Sequence, residues 1–147
     1  MDFDTSVKLN IYEMIARTTR MPASIDIALA IGISMADVEQ AFQRLCEKRL
    51  LVLEPGGSSR IRMAPPFSGI ETQHRVKLED KVYFANCAWD AFGIAAALKH
   101  DADIQSTCAD CDEPLTFQVR DGKPLPRDCV VHFAIPAAHW WQDIIYT

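Results

Sequence analysis

The sequence lacks an apolar run of the roughly 18 to 20 residues that a membrane-spanning helix needs, because Asp, Lys or Arg interrupts its longest apolar stretches. Its first residues are acidic, whereas a secretory signal begins with basic residues and continues into an apolar core. The composition, 49% hydrophobic and 24% charged, is that of a globular protein and excludes a disordered tail. We therefore expect a cytoplasmic protein with no membrane partner. In that compartment its five cysteines are free thiols, metal ligands or nucleophiles rather than disulfides.

An excess of positive charge is also missing. The 147 residues include 20 acidic and 15 basic side chains, which gives a formal net charge of −5. Residues 1–62 hold eight of each sign, and residues 63–147 hold twelve acidic and seven basic side chains. Neither half has the basic surface typical of a nucleic-acid-binding protein. No Gly-rich phosphate loop follows a predicted strand, so no redox cofactor is indicated.

The first part of the chain has the pattern of three helices followed by a hairpin. Gly32 is placed to end the second helix, and a Pro/Gly/Ser-rich turn at 54–59 separates two short apolar strands. Each helix has a candidate N-cap, namely Thr5 or Ser6, Ser24, and Ser34. This order of elements is that of a winged helix-turn-helix.

The second part predicts a small sheet. Strands at 73–78 and 81–85 precede an Ala-rich helix at 88–98, and a further strand pair lies at 104–107 and 115–120. We therefore predict an α+β fold. Its winged-helix-like module, residues 1–63, is followed by a linker at 64–69, whose two prolines and glycine form either a linker or a sharp turn. Residues 70–147 then form a small mixed or antiparallel sheet domain with one packed helix.

A DNA-reading role is not favoured by the third helix. The leading end of a recognition helix usually carries Arg, Lys, Asn or Gln. Here that end carries two acidic residues and two glutamines, namely Asp37, Glu39, Gln40 and Gln43. The positive and negative charges of the whole helix cancel. Arg60 and Arg62 of the hairpin could still contact a phosphate backbone. We expect the module to be a scaffold for the second half, with a winged-helix regulator as the alternative.

Cys87 and Asp90 are the candidate site residues. Cys87 stands where a strand meets a helix, and backbone N–H groups with the positive helix end would lower the pKa of its thiol. Asp90, three residues later, returns to the same face of the first helical turn. A thiolate beside a carboxyl can be a soft metal ligand beside a proton carrier. Taken singly, each residue is as well explained by packing or by helix capping.

The segment 85–90, Ala-Asn-Cys-Ala-Trp-Asp after a strand, resembles the active-site segment of the organomercurial (alkylmercury) lyases. Further similarity lies at 66–69, around Cys108, at 130–133 and at 140–144, and in the helical module. The resemblance implies protonolysis of a carbon–mercury bond, with Cys87 as mercury ligand and Asp90 as proton donor. Its implied partners are a small organomercurial substrate and thiol compounds, and it requires no cofactor.

The same resemblance implies a second cysteine that helps to coordinate mercury. It is expected a few residues after the stretch that matches residues 140–147, and no residue of this sequence corresponds to it. Cys129 precedes that stretch, so the resemblance does not assign the role to Cys129. The alternative to lyase turnover is therefore a thiol-based metal-binding protein.

Cys108 and Cys111 form a C-x-x-C, a spacing that can chelate zinc. A structural zinc site needs four ligands, and the candidates to complete it are Cys129, His132 and His139. Acidic neighbours and Pro114 favour a plain hairpin turn instead.

His132 is predicted to lie in a strand between Val131 and Phe133, and Trp140 with Trp141 to cover an apolar surface.

Overall fold

The computed structural model describes residues 2–146. Its first part contains three helices and a three-stranded sheet: α1 (Phe3–Thr18), α2 (Ser24–Ile31), α3 (Met35–Glu47), β1 (Val52–Leu53), β2 (Ile61–Ala64) and β3 (Phe67–Ser68). Its second part contains five strands, one α-helix and a final 3₁₀ helix: β4 (Arg75–Leu78), β5 (Lys81–Phe84), α4 (Ala88–Leu98), β6 (Ala102–Thr107), β7 (Pro114–Arg120), β8 (Lys123–Leu125) and the 3₁₀ helix Ala137–Gln142. The predicted α+β class is confirmed.

Every strand pair in the two sheets is antiparallel, so the second sheet is not mixed. Its strand order is β5-β4-β6-β7-β8, which leaves the proline-containing β8 at an edge, where a missing N–H donor is tolerated. Helix α4 packs across β4 and β6. Their inward side chains form one core with the helix: Val76, Leu78, Ile104, Ala91 and Ile94. The predicted helix at 88–98 has the bounds of α4.

Two of the predicted helix starts are wrong. The N-cap of α1 is Asp2, whose carboxylate accepts the N–H of Thr5 at 3.0 Å, so Thr5 and Ser6 lie inside the helix. The N-cap of α2 is Ala23, with its N–H donated to Asp26 Oδ2 at 2.8 Å, and Ser24 is the first helical residue. In both cases a carboxylate, rather than the predicted hydroxyl, accepts a backbone N–H at the helix start.

The other two predicted helix boundaries are confirmed. Ser34 caps α3, where its hydroxyl oxygen accepts the N–H of Asp37 at 3.1 Å. Gly32 ends α2 in the left-handed conformation, with φ at +71°. A glycine adopts that conformation without the steric cost that a side chain would add.

Residues 64–69, predicted as a linker, form a tight hairpin. Ala64 ends β2 and pairs with Phe67, the first residue of β3. A Cβ on Gly69 would stand 2.5 Å from the carbonyl oxygen of Ile61, so only glycine fits there. Phe67 also bridges to Ala85, two residues before Cys87. Of the two predicted forms of this segment, a linker or a sharp turn, the structure has the turn, and backbone pairing through it joins the two sheets.

Helix α1 is held against the second part of the chain near its carboxyl end. The backbone oxygen of Ala16 accepts hydrogen bonds from Lys81 Nζ at 3.0 Å and from Tyr83 Oη at 2.7 Å. The ring of Phe67 lies between those of Tyr12 and Tyr83, with centroid distances of 6.1 Å and 5.7 Å. Side chains from both parts belong to one continuous core. The helical module is thus packed on the sheet domain.

The segment after β8 differs from the prediction. Residues 129–133 form no strand, and His132 is exposed. Pro126 and Pro136 bracket this stretch, and each removes a backbone donor that a sheet ladder would use. The prediction of His132 in a strand is therefore wrong.

Within residues 2–146, no helix is long and apolar enough to span a membrane.

An ion-pair cluster fixes α1 to α3. Asp4 is 8% exposed, and its carboxylate accepts hydrogen bonds from Arg44 Nη2 at 2.7 Å and Lys48 Nζ at 2.9 Å. The hydrogen bonds from Arg44, then those from Lys48, lower the pKa of Asp4 to about 2. The charged carboxylate is therefore favoured in the folded chain relative to the unfolded one.

We predict that Asp4→Asn lowers the free energy of unfolding by about 1 kcal/mol at neutral pH. A carboxyl with a depressed folded pKa stabilises above its unfolded value of about 3.9, and that contribution is lost as pH falls toward 2. Urea unfolding at pH 7 and at pH 2 to 3 measures the difference. The exposed Asp128→Asn is the matched control. An Asp4→Asn deficit that stays constant down to pH 2 would contradict the charge-pair explanation.

Candidate active site at the start of helix α4

Cys87 lies at the junction predicted for it. It follows β5 and is the N-cap of α4, with an extended backbone at φ −150° and ψ 177°. Its Sγ accepts the backbone N–H of Asp90 at 3.4 Å. The thiol thus takes the place that the Ser34 hydroxyl takes at α3. Position 87 therefore puts a sulfur atom where most helices put an oxygen.

The predicted direction of the Cys87 pKa shift is wrong. Burial raises the pKa of the Cys87 thiol, and the nearby Asp90 carboxyl raises it further. Hydrogen bonds from the N–H groups of Asp90 and Trp89 act in the opposite direction but do not prevail. The thiol is therefore better retained as S–H in the free protein, because loss of solvent outweighs the helix start.

Burial also raises the pKa of the Asp90 carboxyl. A hydrogen bond from Asn86 Nδ2 to Asp90 Oδ2, at 3.0 Å, opposes the shift and orients the carboxyl. Asn86 Nδ2 also donates to the backbone oxygen of Phe67 at 3.3 Å, which ties the helix start to β3. Sequence reasoning missed this role of Asn86, which lies just before the N-cap Cys87 and outside the helix.

Tyr12 of α1 completes the surroundings of Asp90. Burial and, secondarily, the charge of Asp90 raise the pKa of Tyr12 to about 12. Its Oη donates to the backbone oxygen of Pro65 at 2.8 Å. On α4, Gly93 faces the same hairpin, since a Cβ there would lie 3.2 Å from Pro66 Cβ. The face of α4 that carries Asp90 is therefore covered by α1 and the β2–β3 hairpin, and no local sequence signal indicated Tyr12.

An aromatic cluster covers the outer side of the same helical turn. It consists of Trp89, Phe133 and Trp140. The ring of Phe133 lies 6.2 Å from that of Trp89 and 5.0 Å from that of Trp140. The Nε1 of Trp140 donates to the backbone oxygen of Ile135 at 2.8 Å. The cluster thus brings the segment after β8 to the first turn of α4, although Trp89 itself stays 59% exposed.

Cys108 and Cys111 lie in the turn between β6 and β7, as predicted. Within residues 2–146, no three His, Cys, Asp or Glu side chains are arranged to hold a metal ion. The proposed completions of a zinc site, Cys129, His132 and His139, are therefore not brought to this pair. Hydrogen bonds from the N–H groups of Asp110 and Cys111 lower the pKa of the Cys108 thiol.

Comparison with known proteins matches the part of the chain that contains Cys87 and Asp90. The model of the alkylmercury lyase family, MerB, matches residues 67–147, more than half of the chain. The chain belongs to the alkylmercury lyase family. That membership confirms the family resemblance predicted from residues 85–90. Both Cys87 and Asp90 lie within the residues that the family model matches. No curated protein matches the chain.

A solved structure supports the same family and the fold. It is the crystal structure of the mercury-bound form of MerB2, with a TM-score of 0.68 and 27% sequence identity. The match covers 84% of this lyase-family chain and 59% of the MerB2 chain. The chain therefore spans somewhat more than half the length of that relative.

We predict that alkylation of Cys87 has a higher pH midpoint than alkylation of Cys108. Only a thiolate is alkylated, so the rate at Cys87 should keep rising to higher pH than the rate at Cys108. Iodoacetamide labelling between pH 6 and 10, followed by peptide mass spectrometry, gives both midpoints. Asp90→Asn should shift the Cys87 midpoint downward, and Asp37→Asn, at the same position of α3, should not. A Cys87 midpoint below that of Cys108 would overturn the assignment.

Proposed function

We propose that this alkylmercury lyase family member cleaves carbon–mercury bonds by protonolysis, with Cys87 as mercury ligand and Asp90 as proton donor. One observation carries the proposal: a thiol and a carboxyl, both partly buried and with raised pKa values, share the first turn of α4 within the family-matched residues. The relative of similar fold is described as mercury-bound, which agrees with a soft metal as the ligand.

The first step is binding of the substrate by thiol exchange. The substrate arrives as R–Hg–S–R′, bound to a small thiol compound. The sulfur of Cys87 forms the new bond to mercury, R′S⁻ leaves, and the Cys87 proton is released. Mercury favours this exchange because it is a soft ion that prefers thiolate ligands. A raised thiol pKa also makes the bound thiolate a stronger electron donor, which increases electron density on the metal-bound carbon.

The second step is proton transfer to carbon. The protonated carboxyl of Asp90 gives its proton to the carbon, and the electron pair of the carbon–mercury bond forms the new C–H bond. The hydrocarbon R–H leaves, and Hg(II) stays on the Cys87 thiolate beside the Asp90 carboxylate. Mercury remains in the same oxidation state, so no redox partner is required. Asp90 suits this role because its raised pKa increases the protonated fraction near neutral pH.

Asn86 and Tyr12 are positioning residues in this scheme. Asn86 Nδ2 donates to Asp90 Oδ2 at 3.0 Å and so orients the carboxyl that would carry the proton. Tyr12 has its hydroxyl hydrogen donated to Pro65, so it stays neutral and excludes water from Asp90. Both act on the carboxyl through orientation and solvation.

We propose that the helical module is a scaffold for this site. Three cations of α3, its C-terminal end and the β1–β2 hairpin form ion pairs within the chain. Arg44 and Lys48 pair with Asp4, and Arg62 pairs with Glu54 at 3.5 Å. A DNA-binding regulator would instead present such groups to phosphates. A salt-dependent shift of duplex DNA by the full chain would favour the regulator.

We predict that the chain, with phenylmercury and excess small thiol, releases benzene. Cys87→Ser should abolish release yet stay folded, because a serine hydroxyl caps a helix at least as well as a thiol. Asp90→Asn should lower the single-turnover rate by about 100-fold or more, since its amide cannot donate the proton. Gas chromatography measures benzene. Cys46→Ser and Asp37→Asn, both outside the site, are the matched controls.

Two outcomes would contradict the mechanism. The first is benzene release by Cys87→Ser at the rate of the unchanged chain. The second is benzene without deuterium from a reaction in D₂O, since protonolysis takes its hydrogen from an exchangeable group. The single-turnover rate should also fall as pH rises through the raised pKa of Asp90, because the proton donor is then lost.

Cys129 provides a test of where the second thiolate comes from. It lies four residues before Phe133, which contacts Trp89 beside Cys87, and its thiol is exposed. We expect a small thiol compound to supply the second thiolate, so Cys129→Ser should leave single and multiple turnover within about twofold. Multiple-turnover benzene release, with the small thiol varied in concentration, measures this. Loss of turnover at all thiol concentrations would assign the second thiolate to Cys129.

A further inference from the structure

The C-x-x-C turn between β6 and β7 carries two thiols three residues apart. The N–H of Cys108 donates to the backbone oxygen of Glu113 at 2.9 Å, and the N–H of Asp112 donates to that of Cys108 at 3.0 Å. These bonds close the turn, so Cys108 and Cys111 are held within one short loop. Cys111 is exposed, and Cys108 is partly buried. The pair is therefore preorganised and accessible.

The turn lies at the same end of the sheet as Cys87. His74 joins the two: its backbone oxygen accepts the N–H of Ala85 at 2.9 Å, and its Nδ1 lies 2.8 Å from the hydroxyl of Ser106. Cys87 follows Ala85 by two residues, and Cys108 follows Ser106 by two. Because β4 separates β5 from β6 and neighbouring strands lie about 4.8 Å apart, the two strand ends are about 10 Å apart.

The donor set selects for a particular kind of metal. Zinc in a structural site takes four ligands, and within the described residues no third side chain joins this pair. Hg(II) is satisfied by two thiolates in a linear arrangement and is far softer. The surrounding carboxylates of residues 110–113 add negative charge, which favours a dication over a neutral or anionic ligand. A two-thiol site beside a mercury-releasing centre thus fits inorganic mercury.

We propose that Cys108 and Cys111 form a second mercury site, which accepts the Hg(II) released at Cys87. This inference rests on the proposed lyase function for the source of the ion. In the transfer, each of the two thiols forms one bond to mercury and loses its proton. The bond from mercury to Cys87 breaks, and Cys87 recovers a proton. The exchange involves no oxidation, and it frees Cys87 for the next substrate.

The binding step is tested with HgCl₂ alone, on reduced protein and with a competing monothiol in excess. Cys87→Ser isolates the second site. It should bind one equivalent of Hg(II), seen as thiolate–mercury absorbance in the near ultraviolet. Adding Cys111→Ser should weaken that binding at least 10-fold, while adding Cys46→Ser or Cys129→Ser should not. Binding that survives Cys111→Ser, or that is lost with Cys129→Ser, overturns the proposal.

The transfer step is tested after a single turnover of phenylmercury by the full chain. Native mass spectrometry followed by peptide mapping should place mercury on the 108–111 peptide, and in Cys111→Ser on the Cys87 peptide. Multiple turnover at low thiol should then fall severalfold while the first turnover is unchanged. Absence of benzene would refute the lyase proposal and leave the HgCl₂ result standing. Benzene release with mercury never found on residues 108–111 would refute the transfer alone.

Discussion

The chemistry of the site depends on how the β2–β3 hairpin covers the first turn of α4. Phe67 provides a backbone oxygen to Asn86, and Pro66 approaches Gly93 so closely that a Cβ would lie 3.2 Å from it. Cys87 and Asp90 lie on the same turn as these contacts and are partly buried. Desolvation is accordingly the largest cause of the raised pKa of both groups. Without that cover, the same two residues would be an ordinary helix cap and an ordinary helix-start carboxylate.

The raised pKa values define what kind of reaction the site favours. A thiol with a low pKa would already be a thiolate nucleophile at neutral pH, as redox-active cysteines are. In the reaction proposed for this site, the thiol keeps its proton until a metal soft enough to displace it arrives. The carboxyl beside it also holds a proton more readily than a solvated aspartate does. Cleavage of one carbon–mercury bond needs one thiolate and one proton, and the site keeps both together.

Local sequence signals predicted the parts of the site that short-range geometry determines. The helix at 88–98, its cap at Cys87 and the return of Asp90 to the same face depend on residues within one turn of each other. The packing of the 64–69 hairpin and of Tyr12 beside α4 was missed, because it depends on contacts between distant parts of the chain. The sign of the Cys87 pKa shift was wrong for the same reason. A helix start is visible in the sequence, whereas burial is not.

The family match begins at Phe67, yet residues before it shape the site. Tyr12, Pro65 and Pro66 lie outside the matched residues and line the covered face of α4. The structural match to MerB2 extends over 84% of the chain, which is more than residues 67–147 alone can supply, so it includes much of the helical module. Ala16 at the end of α1 accepts hydrogen bonds from Lys81 and Tyr83, and these hold the module in register with the strand that leads to Cys87. The helical module is therefore part of the surroundings of Asp90, and the proposed site extends beyond the residues that carry the family's sequence pattern.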